Sequence, residues 1–243
     1  MKNDNDSPDT FKTDCLLCGQ ELQYFQTTKK LKCGICQTEH ETTAACTDNH
    51  FICDDCHAQP AYAGITSRAL QTRHKNPKVI ACEMMKNPFI NMHGPEHHYL
   101  IIAALLAAFK NVGGDITLKE TLATARQRAQ KVPGGICGFW GCCGAGVGAG
   151  IFVSIITSAT PLSVEAWRLA NKMTAKSLDV IADNGGPRCC KRNVWLAVTG
   201  AIKFVKNNLA VEMENEDSIK CTFFTHNASC KQEECIFYPG CTV

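Results

Sequence analysis

PGGICGFWGCCGAGVGAGIFVSII, residues 133–156, is the stretch on which the fold turns. No charged residue and no histidine occurs between Val132 and Val164, a length that would cross a bilayer if it were uniformly apolar. Glycines recur through its first half, however, and the apolar run from Gly150 to Ile156 is too short to span. The stretch therefore reads as a glycine-rich loop feeding a buried helix. That helix, Gly146–Ser158, is apolar on nearly all sides and is expected to be the central helix of a helical domain.

Helical patterning extends outward on both sides. Upstream it begins at about residue 79. Pro95 is suited to a helix start, where its missing N–H is no loss, and Leu100, Ile101, Ala104, Leu105 and Ala108 follow at helical spacing until Gly113 and Gly114. Thr117 and Glu120 read as a capping box for a helix reaching about Lys131. Downstream, Pro161 and Ser163 open a helix that buries Trp167, Leu178 and Ile181 and stops at Gly185–Gly186. A last helix follows Pro187 and runs to about Leu209. The organisation expected is a disordered tail (1–12), a double zinc-binding module (13–57), a linker (58–78), a helical cysteine-rich domain (79–212) and a cysteine-rich C-terminal tail (213–243) packed on it. The fold class is a mainly α-helical domain with a small β-containing zinc module at the N-terminus.

The 243 residues carry 17 cysteines and a net charge of +2, with 45% hydrophobic residues. That is enough apolar material for a core. The near-neutral charge gives no pull toward nucleic acid or an anionic membrane. The polar start, MKNDNDSPDTFKTDC, has no signal-type apolar stretch. Cysteines without an export signal are more often ligands or catalysts than disulfides, and an odd number cannot all pair internally. A reducing, cytoplasmic setting is the expectation.

Eight candidate ligands come as four pairs: Cys15/Cys18, Cys33/Cys36, Cys46/His50 and Cys53/Cys56. Each C-x-x-C can form a knuckle that points two thiolates at one ion, and four such ligands close a tetrahedral zinc shell. Two zinc ions are expected. Sequential pairing puts Cys15, Cys18, Cys33 and Cys36 together. Alternating pairing, which we favour, joins Cys15 and Cys18 to Cys46 and His50, and Cys33 and Cys36 to Cys53 and Cys56. His40 and His57 are substitutes for His50. The module resembles a treble-clef or zinc-ribbon module. The run Cys33–Cys56 is similar to part of a RING-type spacing, with a C-x-x-C upstream where that family has it at the end. The module's expected role is structural, with a protein partner as its possible contact.

A second set, Cys82, Cys137, Cys142, Cys143, Cys189 and Cys190, lacks zinc-knuckle spacing. Cys137, Cys142 and Cys143 sit in the glycine-rich loop, where bare backbone lets N–H groups approach sulfur. Cys189 and Cys190 sit at another helix start beside Arg188, Lys191 and Arg192. Helix N-termini and cations lower a thiol pKa, so both groups are read as reactive. Convergence of the two groups on one pocket is the central expectation. It would hold an iron–sulfur cluster or a redox dithiol acting on a small molecule, with His97 and His98 as proton shuttles and Arg188 for an anionic group. His93–His97 also spells H-x-x-E-H, but Pro95 places His93 outside the helix that such a zinc site needs. Cys221, Cys230, Cys235 and Cys241 follow no assignable spacing, though four thiols can hold a metal. Two other readings are a zinc-finger adaptor for protein or nucleic acid, and a thiol-based metal carrier.

The signature around Cys137–Cys143 is similar to that of an uncharacterised family of cysteine-rich proteins from anaerobic archaea and bacteria. So are Cys82–Lys86, Asn91–His98 and Gly185–Arg192. The likeness covers about residues 79–240. It implies an oxygen-free cytoplasm, which would suit an exposed cluster, and it implies no particular reaction.

Overall fold

A computed structural model describes residues 15–215 and 219–239. The expected 1–12 tail and Cys241 lie outside the described residues. The chain divides into two compact units, Met1–Pro60 and Ala61–Val243. The architecture is mostly helical, with one two-stranded antiparallel sheet beside the N-terminal cysteines.

In the first unit, β1 (Leu22–Lys32) pairs with β2 (Glu39–Cys46) in a hairpin whose register runs from Leu22 opposite Cys46 to Lys32 opposite Glu39. The sheet is largely exposed and has little core of its own. What it buries is sulfur: Cys15, Cys33, Cys46 and Cys53. Metal binding is the usual means by which a module this small replaces a core. Helix α1 (Asp54–Gln71) starts within this unit, with Asp54 and Asp55 in its first turn complementing the helix dipole.

Residues 58–78 are not a linker. Most of them belong to α1, and Pro77 opens α2 (Pro77–Met85). Tyr62, Ile65 and Ala69 are buried. The sequence misled because Pro60 and Gly64 look like breakers. Pro60 falls early in α1, and Gly64 leaves room for the Asn87 amide, which an added Cβ would strike.

The second unit continues with α3 (Glu96–Asn111), α4 (Leu118–Ala129), α5 (Ile136–Phe139), α6 (Gly144–Ile156), α7 (Glu165–Asp183) and α8 (Cys190–Leu209). The central helix is α3, and not the glycine-rich α6 as expected: every residue from Glu96 to Phe109 is buried. It packs on α2, α4, α6 and α8. Helix α6 lies between α3 and α7 and presents glycines to each. Gly148 faces α3, where an added Cβ would meet Ile101 at 2.5 Å and the His98 carbonyl at 3.0 Å; Gly150 faces α7, with Thr174 closer still. Glycine lets both neighbours approach to backbone distance, and this explains a helix that propensity alone would discourage.

Two local readings are corrected. Thr117 takes the N-cap of α4, but its side chain makes no capping bond, so the box does not form. Trp167 is 52% exposed. The buried line of α7 is Leu169, Met173 and Ser177, one residue every turn; Trp167 lies two residues out of phase, on the opposite face. Leu178 and Ile181 are half-buried. Among the described residues, no helix is long and apolar enough to cross a membrane.

Candidate functional site

The hairpin gathers the N-terminal ligands into two quartets, Cys15, Cys18, Cys46 and His50, and Cys33, Cys36, Cys53 and Cys56. In each, the ligand atoms lie within 4.8 Å of one another. This is the alternating order. Cys15 and Cys18 precede β1, whose first residue pairs with Cys46, while Cys33 and Cys36 form the hairpin turn, tied by Gly34 N–H to the Phe51 carbonyl (2.8 Å) just before Cys53. Cys18 Sγ lies 3.7 Å from Cys46 Sγ and 3.2 Å from His50 Nδ1; Cys36 Sγ lies 3.8 Å from Cys53 Sγ. A tetrahedral ion with bonds of about 2.3 Å to sulfur has S–S edges of about 3.8 Å, so these residues fit such an ion. His40 instead stands 4.0 Å from Cys36, and His57 joins neither quartet.

The thiols of the second quartet influence one another's ionisation strongly. Hydrogen bonds from Thr38 and from His40 bring the Cys36 thiol down to about 5. Burial, and then the neighbouring Cys53, Cys36 and Cys33, push Cys56 up to about 12. Thiols this close cannot all ionise together, and a divalent ion removes the conflict.

The second unit holds a small inner cavity of about 80 Å³ lined by His97, His98, Cys137, Cys143, Arg188, Cys190 and Asn193. It adjoins an open vestibule of about 560 Å³, and Cys137, Cys143, Arg188 and Asn193 line both spaces. The fold builds this throat from two helix starts. Cys143 is the N-cap of α6, Cys189 that of α8, and Cys190 the first residue of α8. Gly135 and Gly141, at φ +79° and +64°, let the chain turn sharply on either side of the single-turn α5, which carries Cys137. Gly144 is needed because the His98 ring occupies the place of its Cβ.

Several polar contacts organise the cavity. Asn193 Nδ2 donates to Cys143 Sγ at 3.3 Å. His97 is 1% exposed, and its Nδ1 faces the Gly94 carbonyl at 3.2 Å and Glu96 Oε1 at 3.5 Å. Two acceptors at Nδ1 place the proton there and leave Nε2 a lone pair, and Nε2 has no hydrogen-bond partner. Burial, reinforced by the charge of Lys191, holds His97 well below the usual imidazole range. Glu96 accepts from the Asn91 backbone N–H at 3.0 Å, and burial raises its carboxyl to about 7. Arg192, 4% exposed, donates to the carbonyls of Gly185 (2.7 Å) and Pro187 (2.8 Å), fixing the turn into α8.

Of the second cysteine set, Cys137, Cys143 and Cys190 meet in this cavity with His97, His98 and Arg188. Three do not join them. Cys142 lines neither space. Cys82 lies in α2 beside Trp195. Cys189 lines a different cavity, with Cys221, Cys230 and Cys235. The expected depression of thiol pKa at α8 is also overturned. Burial raises Cys189 and pushes Cys190 up to about 12, outweighing the helix start and the Arg188 and Arg192 charges. Asn193 was missed, although its place one turn after Cys190 puts it on the same helix face. Glu96, expected to line the pocket as an acid–base group with His97 and His98, does not line the cavity and instead lies buried beside His97 Nδ1.

These features define a mostly helical, cysteine-rich protein with two quartets able to hold metal ions. The chain belongs to the DUF5714 family, a family of unknown function, whose model matches residues 65–238. No curated protein and no solved structure matches it.

Proposed function

We propose that the helical unit is a thiol-dependent enzyme acting on a small anionic molecule, and that zinc in both quartets holds the N-terminal module together. The observation that carries this reading is the meeting of two helix starts, three thiols, Arg188 and the unpartnered His97 Nε2 around one cavity. Both helix N-termini contribute partial positive charge, and Arg188 adds a full one at the throat. An inner space of about 80 Å³ is well below the ~300 Å³ of a typical drug-sized pocket. A small anion, or one small group of a larger molecule held in the vestibule, matches that size.

Cys143 is the attacking sulfur. It sits at the N-cap of α6, and Asn193 donates to it. As the sulfur bonds to the electrophilic atom of the substrate, that atom's bond to a leaving group breaks, and the thiol proton passes through His97 Nε2 to the departing group. Arg188 binds the anionic group. Burial keeps Cys190 protonated. In the N-terminal module, zinc supplies folding energy rather than chemistry.

Alkylation rates test this reading. Anionic iodoacetate should modify Cys143 faster, relative to neutral iodoacetamide, than it modifies Cys82, and Arg188→Gln should abolish the preference. Equal relative rates at Cys143 and Cys82 would sink the anion-binding thiol site.

A further inference from the structure

The cysteines left over from the cavity assemble a site of their own. Cys189, Cys221, Cys230 and Cys235 line one small cavity at the far side of the α8 start. All four are free thiols, half-buried. Among the described residues, no histidine or carboxylate lines that space with them. Burial, and then the nearby Cys189, Cys235 and Cys230, raise the Cys221 thiol.

We propose that these four cysteines bind an iron–sulfur cluster, separate from the Cys143 cavity and one residue away from it along α8. Three observations support it. First, backbone N–H groups point at the sulfurs: Phe223 at Cys221 (3.4 Å), Gln232 at Cys230 (3.4 Å) and Arg192 at Cys189 (3.5 Å). Such N–H···S bonds stabilise thiolate and tune a cluster. Second, the shell is aromatic and cationic. Trp195, Phe223, Phe224 and Tyr238 line the cavity with Arg192 and Lys231, which excludes water while offsetting the negative charge of a thiolate-ligated cluster. Third, the segment from 219 to 239 has only two three-residue 3-10 turns, yet Phe223 and Asn227 are buried in it. Packing of Phe223 and Phe237 on Trp195 holds this irregular chain in place around the four thiols.

A single zinc ion fits less well. Among the described residues, the two N-terminal quartets bring three or more ligand atoms within 4.8 Å of one another, and this set is not a third such group. A cluster spaces its thiolates more widely, because they cap the corners of a metal–sulfide cage.

Footprinting on the intact chain tests the site. Protein purified without oxygen is loaded with iron and sulfide, then alkylated and mapped by mass spectrometry beside unloaded protein. The expected result is protection of Cys189, Cys221, Cys230 and Cys235, with Cys137 and Cys143 still labelled, and iron and acid-labile sulfide in equal amounts. Cys235→Ser should lose the iron and visible absorbance while the metal of the N-terminal quartets remains. Three outcomes overturn the proposal: no iron uptake, zinc in place of iron at these thiols, or protection that falls on Cys137, Cys143 and Cys190 or on Cys241 in place of Cys189. Iodoacetate labelling of Cys143 is read in the same experiment, so failure of the cluster site is distinguished from failure of the thiol cavity.

Discussion

Cys189 and Cys190 are neighbours in sequence and open into different cavities: Cys190 faces Cys143 and His97, while Cys189 faces Cys221 and Cys235. The cause is their place at the start of α8. Cys189 is the N-cap, with extended backbone (φ −141°, ψ 105°), and Cys190 is the first helical residue. The change of conformation between them turns one sulfur away from the other.

The quartet assignment is testable by counting ions. In alternating pairing, Cys18 and Cys36 serve different ions, and Cys18 and His50 the same one. Native mass spectrometry should therefore find the Cys18→Ser/His50→Ala chain one zinc short and the Cys18→Ser/Cys36→Ser chain two short. Sequential pairing predicts the reverse.

Glu96 and His97 oppose one another in the pH dependence of stability. Burial raises Glu96 to about 7, so folding takes up a proton as pH rises from the unfolded carboxyl value, and stability falls up to about pH 7. His97 is held well below its ordinary value, so folding releases a proton and stability rises up to about pH 6.5, the unfolded imidazole value. Lys191 on α8, with His93 and His98, faces the pair and keeps its charge through this range. Glu96→Gln removes the falling limb. Urea midpoints of that variant should climb more steeply between about pH 4.5 and 6.5 than those of the natural chain.

Gly148 tests the packing of α6. Val at this position drives its Cβ against Ile101 and the His98 carbonyl, and overpacking of this kind destabilises by about 3 kcal/mol. Gly138→Ala, in α5, is the control, since nothing lies within 4 Å of its Cβ position. Denaturant unfolding of the two variants should differ accordingly.

Asn193→Ala removes the donor to Cys143. A hydrogen bond to a charged group contributes roughly 1.5 kcal/mol, so loss of this donor should slow alkylation at Cys143 by up to about tenfold. Iodoacetamide kinetics at Cys143 read this directly; an unchanged rate would mean the contact does not activate the sulfur.

Much of the fold was legible because strong local signals agreed. Pro95 does precede α3, Gly113 ends it, and α8 runs from Cys190 to Leu209 as the Pro187 and Leu209 boundaries suggested. The four ligand pairs follow from knuckle spacing, whereas the alternating order depends on the hairpin that brings Cys46 beside the chain before β1. Side-chain direction was less legible. Nothing in the pair Cys189–Cys190 tells which sulfur faces which neighbour, because that depends on a cap conformation set by Arg192 and the Gly185 and Pro187 carbonyls. The C-terminal cysteines had no recognisable spacing because their fourth companion, Cys189, comes from another element. Burial defeated the pKa reading: helix start and cations were visible in the sequence, and the desolvation that outweighs them was not.

The three tryptophans stand in separate surroundings. Trp140 and Trp167 are 69% and 52% exposed, whereas Trp195 is 1% exposed, 5.2 Å from the Phe237 ring, and lines the cavity of Cys189 and Cys221. The molecule thus has its own fluorescence gauge. Blue-edge emission belongs to the indole beside the C-terminal thiols, and a coloured cofactor there would quench it by energy transfer, while red-edge emission from the two solvent-facing indoles would supply the internal reference.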